Sequence, residues 1–180
     1  LGLIDVDPVK AFECIKAYTT PVGSESAFIH HGTPLPIQMY AYADLWNNSL
    51  SQEALRFLYP RLKQYFDFMV GADPYSPTRM AGSGLLRTWD YFYNSGGWDD
   101  YPPQQEVHRR RLQASCAPVI TTAHAIRCAK ILAYTARLLG ETADADAFDA
   151  DALCLGRSLQ TAWDEESGYF GYLLHDPSGD

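Results

Sequence analysis

Two stretches of this chain repeat one order of helices, and that repeat limits the fold more than any other feature. The first opens at Thr33-Pro34 or Leu35-Pro36 and runs to about Asn47. Ile37, Met39, Tyr40, Tyr42, Leu45 and Trp46 leave it little polar surface, as expected of a buried helix. A second helix follows over 52–70, with Ser49 and Gln52 at capping-box spacing. Its Leu55, Leu58, Leu62, Phe66 and Met69 form one apolar stripe, while Arg56, Arg61, Lys63 and Gln64 lie off it. Pro60 is a candidate kink and Gly71 a fitting C-terminal stop. The same pair returns downstream. Pro118 starts a mostly apolar helix that ends near Gly140, and a striped helix runs over 144–163 through Phe148, Ala152, Leu155, Leu159 and Trp163. Asp144, Asp146, Asp149 and Asp151 crowd its N-terminal part, where the helix dipole favours negative charge.

A buried-type helix joined by a short loop to an amphipathic one, twice over, is a weak internal repeat of helical hairpins. Such hairpins stack into a solenoid or close into a ring. Asp7-Pro8 adds a leading helix to about Tyr18, with Asp as cap and Pro in the first turn. Trp163 to Gly168 reads as a turn, and Tyr169 to Leu174 as a short strand or extended segment. The expected class is all-α, with the 180 residues forming part of one domain. Two hairpins and a leading helix fill less than half of a six-hairpin ring. The chain opens at Leu1-Gly2-Leu3 and stops in Asp176-Pro177-Ser178-Gly179-Asp180, so the natural protein is expected to be longer.

Composition narrows the function. The net charge of −8 disfavours binding to a phosphate backbone, and His108-Arg109-Arg110-Arg111 reads as a solvated face or a helix edge. No apolar stretch approaches the ~20 residues of a membrane span. Cys14, Cys116, Cys128 and Cys154 lie far apart without a CxxC pair, so core thiols are expected and no zinc site. Compartment stays open. Aromatic residues make up 13% of the chain, which suits either a core or a site that stacks on flat sugar faces.

Residues 72–117 show no sustained period and read as one long loop, the kind of segment that often carries function. Within it lies Tyr91-Phe92-Tyr93-Asn94-Ser95-Gly96-Gly97-Trp98-Asp99-Asp100-Tyr101-Pro102-Pro103. The glycines permit a tight turn and the prolines stiffen the exit. Two carboxylates sit between aromatic rings. Apolar neighbours disfavour the charged form of a carboxyl group, which keeps a proton available for general acid work. Asp-Asp beside Gly and Pro is also ordinary turn chemistry, so residue types alone leave both readings open.

The string Ser95-Gly96-Gly97-Trp98-Asp99-Asp100-Tyr101-Pro102 resembles a Ser-Gly-Leu/Met/Trp-Asp-Asp/Asn segment of glycoside hydrolase family 63, the processing α-glucosidases and their bacterial relatives. It is also similar to the Glu-Ser-Gly-Trp-Asp string of family 37 trehalases. Gly32-Thr33-Pro34-Leu35-Pro36, Tyr59-Pro60-Arg61-Leu62-Lys63 and Trp163-Asp164-Glu165-Glu166-Ser167-Gly168-Tyr169 look like further segments of the same family, so the resemblance covers most of residues 30–175. It implies an (α/α)6 toroid, a six-hairpin glycosidase, with 72–117 as its long catalytic loop. It implies an inverting hydrolase of oligosaccharides or disaccharides, α-glucosidase-like, with Asp99 as general acid and no metal or organic cofactor. Asp100 takes the adjacent polar position, and Trp98, Trp89 and Tyr101 are candidates for sugar stacking, though each ring also suits a core. The sequence departs from the pattern in having Gly-Gly before the Trp, an offset of one. The family's catalytic base is a Glu far downstream, and Glu165 and Glu166 do not correspond to it. The 180 residues alone are therefore expected to be inactive.

Other residues invite weaker readings. His30-His31 reads as a loop pair with hydrogen-bonding duties rather than a metal pair, and His124 as a satisfied core or rim histidine. His108 lies near Asp99 in sequence and is a candidate to orient it. An α-toroid polysaccharide lyase would cast Tyr40, His31 and Arg109 as its proton-moving and charge-binding groups, but would want a positive site. The Asp99-Asp100 pair is similar to a terpene-cyclase metal motif, yet Pro103 stands where that motif needs a further Asp. A non-catalytic helical scaffold or sugar-binding module is the third class.

Overall fold

In the computed structural model, residues 2–24, 35–87 and 101–176 are described. Six helices carry these parts: α1 (Pro8–Tyr18), α2 (Ile37–Ser49), α3 (Gln52–Met69), α4 (Pro102–Arg109), α5 (Val119–Leu139) and α6 (Thr142–Gln160). The strands are two-residue pieces. β1 (Cys116–Ala117) pairs antiparallel with β4 (Leu173–Leu174), and β2 (Trp163–Asp164) with β3 (Tyr169–Phe170). The fold is mostly helical, as the periodicity predicts.

Local chemistry sets the helix ends. Asp7 caps α1, its carboxylate accepting the Lys10 backbone N–H at 2.9 Å, with Pro8 in the first turn. Leu50, in the left-handed region at φ 52°, ends α2, and Ser51 caps α3 by accepting the Ala54 N–H at 3.2 Å. The expected Ser49–Gln52 box therefore does not form. Ser49 is still helical and donates its hydroxyl to Leu45 O at 2.6 Å, so the cap falls to the next serine. Gly140, at φ 82°, closes α5, and a non-glycine residue would be strained there.

The helices form two hairpins that repeat. In the first, α3 returns antiparallel along α2, with Tyr65 near its end bonded to Gln38 near the start of α2. In the second, α6 returns along α5, and Arg137 late in α5 pairs with Asp149 early in α6. Between hairpins, first helix meets first helix at the same end: the Tyr40 hydroxyl lies 2.5 Å from His124 Nδ1. Second helix runs with second helix. Tyr59 and Lys63 of α3 both reach Asp144 in the first turn of α6, at 2.8 and 2.5 Å, and Phe66 then meets Phe148 edge-on. One large apolar core joins α1, α2, α3, α5 and α6, with Leu58, Leu62 and Phe66 fully buried. Burial at about 25 cal/mol per Å2 of apolar surface is the main force holding the hairpins together.

Several expectations need correction. The two α5–α6 helices follow the inner-and-outer pattern, but α3 buries more of its length than α2, because α3 is packed between α2 and the second hairpin. The loop expected over 72–117 contains α4, which Pro102 starts and which buries Gln104 and Val107. The stripe expected to run through Trp163 stops earlier. The chain turns at Thr161, whose hydroxyl caps Ser158 O, and Trp163 lies in β2, 39% exposed, edge-on to Phe170. Only Cys116 and Cys128 are core thiols; Cys14 and Cys154 are exposed, and all four are free. No helix among the described residues is long and apolar enough to cross a membrane.

Candidate functional site

The N-terminal end of α5 gathers the elements that flank the Asp99 string. Residues 76–87 fold into a tight turn there. Met80 N donates to Leu85 O at 2.9 Å, Gly84 N to Met80 O at 2.9 Å, and Arg87 N to Thr78 O at 2.7 Å. Gly84 sits at φ 69°, in the left-handed region that favours glycine, and an added Cβ would have to displace the Ser158 hydroxyl of α6, 2.7 Å away. The turn is tied to α5 by one buried bond, from Leu86 N to Thr122 Oγ1 at 3.0 Å. Arg87 then fixes the chain from its side chain. Its Nε donates to Pro77 O at 2.5 Å and its Nη1 to Ala114 O at 2.8 Å.

Tyr101 fixes the other flank. Its carbonyl accepts the N–H groups of Gln104 and Gln105 at 2.9 and 3.1 Å, which starts α4. Its ring packs edge-on to Tyr172, centroids 6.0 Å apart, and it remains 39% exposed. Tyr172 precedes β4, whose pairing with Cys116 and Ala117 holds it beside the start of α5. Burial pushes the Tyr172 phenol up, with Cys116 and Tyr101 adding to the shift, and burial pushes the Cys116 thiol up to about 12. These groups are neutral at physiological pH.

Of the predicted site residues, Tyr101 is in this frame. Trp89, Trp98, Asp99 and Asp100 lie outside the described residues, as do His30 and His31. His108 is exposed on α4 and hydrogen bonds with Gln113 at 3.0 Å. Arg109 gives Nε and Nη2 to the two carboxylate oxygens of Glu106, at 2.9 and 2.7 Å, and that pairing holds the Glu106 carboxyl below its usual range. The basic run is thus a helix edge, as its composition suggests. His124 departs from the satisfied histidine expected. Nδ1 meets the Tyr40 hydroxyl, but Nε2 is buried and has no partner among the described residues. Burial holds its pKa below 6.5, and burial first, then Cys128, pushes Tyr40 up to about 12.

Two arrangements are invisible to sequence reasoning. Ser83 Oγ lies 2.6 Å from His175 Nε2, joining the 76–87 turn to the segment after β4. Tyr40 and His124 meet across two hairpins. Both pairs are separated by more than eighty positions, and no local pattern announces them. A groove of about 940 Å3 lies elsewhere, over the outer side of α3 and the α5–α6 turn. Tyr59, Lys63, Asp67 and Asp144 line it, but none of the predicted site residues does. There the Lys63 ammonium, hydrogen bonded to Asp144, lowers that carboxyl, while burial raises Asp67. Among the described residues, no group of three or more His, Cys, Asp or Glu side chains is placed to hold a metal ion. The chain matches no family model, and no curated protein matches it.

Proposed function

We propose that this chain is the acid-bearing part of an inverting glycoside hydrolase built as an (α/α)6 toroid and resembling the family 63 α-glucosidases. The observation that carries the reading is the Gly96-Gly97-Trp98-Asp99-Asp100-Tyr101 string itself. The fold supports it in two ways. The hairpins alternate so that first helices run together and second helices run together, which is the order a closed ring of hairpins needs. Arg87 and Tyr101, on either side of the string, are both anchored at the N-terminal end of a first helix.

In this reading Asp99 protonates the leaving glycosidic oxygen. A second carboxylate, the Glu that the resemblance puts beyond these residues, activates water on the opposite sugar face, about 6.5–9.5 Å away. Trp98 and Tyr101 offer stacking faces to the pyranose, with Trp89 and Asp100 as further contacts. The substrate is a neutral oligosaccharide or disaccharide, and hydrolysis draws on no metal or organic cofactor. The test is Asp99→Asn in the intact enzyme that contains this chain, assayed on α-linked disaccharides and oligosaccharides. A general acid contributes about 10²–10⁴ in rate, so turnover should fall by that factor while the circular dichroism spectrum and melting midpoint stay put. Full activity in a folded Asp99→Asn enzyme would refute the assignment.

A further inference from the structure

We infer that His175 is a positioning residue: through Ser83 it locks the 76–87 turn to the strand that holds Tyr101, and so fixes the distance between the two ends of the Asp99 string. Those ends are Arg87, which closes the turn, and Tyr101, which opens α4. Residues 172–175, which include β4, connect them. Tyr172 meets the Tyr101 ring edge-on, with centroids 6.0 Å apart. Three positions later, His175 Nε2 lies 2.6 Å from Ser83 Oγ in the turn.

The backbone of this segment is itself fixed. β4 pairs with β1, and His175 N donates to Ser115 O at 2.7 Å, which carries the pairing one residue past β4. Side chains alternate along an extended segment, so Leu173 and His175 share a face. Leu173 packs into a small apolar cluster with Met80 and Leu85 of the turn, and His175 reaches Ser83 beside them. Tyr172 points the other way, to Tyr101. One short segment thus grips both ends of the string.

The apolar contact of Leu173 is non-directional, whereas a hydrogen bond sets a distance and an angle. The Ser83 hydroxyl also accepts the Leu85 N–H at 3.2 Å, so the clasp joins the bonds that shape the turn. His175 is only 9% exposed, and its Nδ1 is buried with no partner among the described residues. An aliphatic side chain would fill the same place without an unsatisfied nitrogen. Packing does not ask for histidine here; the bond to Ser83 does. That Asp99 uses this spacing to place its proton rests on the glycosidase reading, while the clasp rests on these contacts alone.

The test uses the intact enzyme that contains this chain. His175→Leu should lower kcat on an α-linked disaccharide by about tenfold to a hundredfold with KM little changed, the size of loss that follows a misplacement of about 1 Å. The loss on a glycosyl fluoride, whose departure needs little protonation, should be clearly smaller. Ser83→Ala should give the same split, and the double variant should lose no more than either single one. His175→Gln should recover most of the rate, because its amide reaches Ser83 and can donate or accept. A merely structural histidine would lower the melting midpoint and leave the two substrates equally affected. Amide exchange at Gly84 and Arg87, whose N–H groups donate to Met80 O and Thr78 O within the turn, checks the clasp without any activity. His175→Leu and Ser83→Ala should speed exchange at both, and if leucine prevents folding, Ser83→Ala carries the comparison. Unchanged exchange overturns the inference whatever Asp99 does. In an enzyme that Asp99→Asn disables, an equal loss on the two substrates overturns it as well.

Discussion

Thr122→Val removes the single buried bond between the 76–87 turn and α5. The Leu86 N–H loses its acceptor, Thr122 Oγ1 at 3.0 Å, in a place where both residues are fully buried. Valine has nearly the shape of threonine, so the packing loss is small and the cost is that of an unsatisfied donor. That cost is about 1–3 kcal/mol, which in a chain of this length lowers the melting midpoint by roughly 2–12 °C. Thr122→Ser keeps the oxygen and loses one methyl, about 0.8 kcal/mol, so it is the control for packing. Urea denaturation gives the free energies, and amide exchange at Leu86 reports the bond directly. Val should be the worse of the two variants and should speed exchange at Leu86. If Val proves as stable as wild type with the amide still protected, the turn is held by something other than this bond, and the account of how the site is framed fails.

Two further outcomes follow from burial. His124 is held below 6.5 by burial, whereas in the unfolded chain it titrates near 6.5. As pH falls through 6.5 the unfolded state takes up a proton that the folded state resists, so this residue's share of stability is lost toward the folded pKa. His124→Gln should flatten the decline in denaturation midpoint as pH falls below about 6.5, and an unchanged slope would count against a buried neutral imidazole. Cys14 and Cys154 should react at once with a thiol reagent in the native protein, while Cys116 and Cys128 should wait for denaturant, since burial raises the pKa of both buried thiols. Rapid labelling of Cys128 would contradict the packing of α5.

Much of the helical fold is legible because its signals are local. Asp7-Pro8, the stripe from Leu55 to Met69, Pro118 and Gly140 each mark an end or a face with a few adjacent residues, and the helices begin and end close to where those signals put them. α4 is missed because Pro102-Pro103 stiffens a loop exit as readily as it opens a helix, and only the burial of Gln104 and Val107 decides between them. The relative burial of α2 and α3 depends on which helix the second hairpin covers, and periodicity along one helix does not carry that. The frame around Tyr101 is less legible still. Tyr172, Cys116, Ser83 and His175 come together through the β1–β4 pairing and the 76–87 turn, contacts between distant parts of the chain. The Asp99 string is read from residue types and resemblance, and its four central candidates, Trp89, Trp98, Asp99 and Asp100, lie outside the described residues.

The role of Asp99 is tested most directly by leaving-group dependence. In the intact enzyme, Asp99→Ala should be compared with wild type on an α-glycoside whose leaving group needs protonation, such as a sugar, and on a glycosyl fluoride, whose departure needs far less help. A general acid predicts a loss of about 10²–10⁴ on the first and a much smaller loss on the second. Equal losses on both substrates would mean that Asp99 does not deliver the proton, and the proposed mechanism would be wrong at its centre.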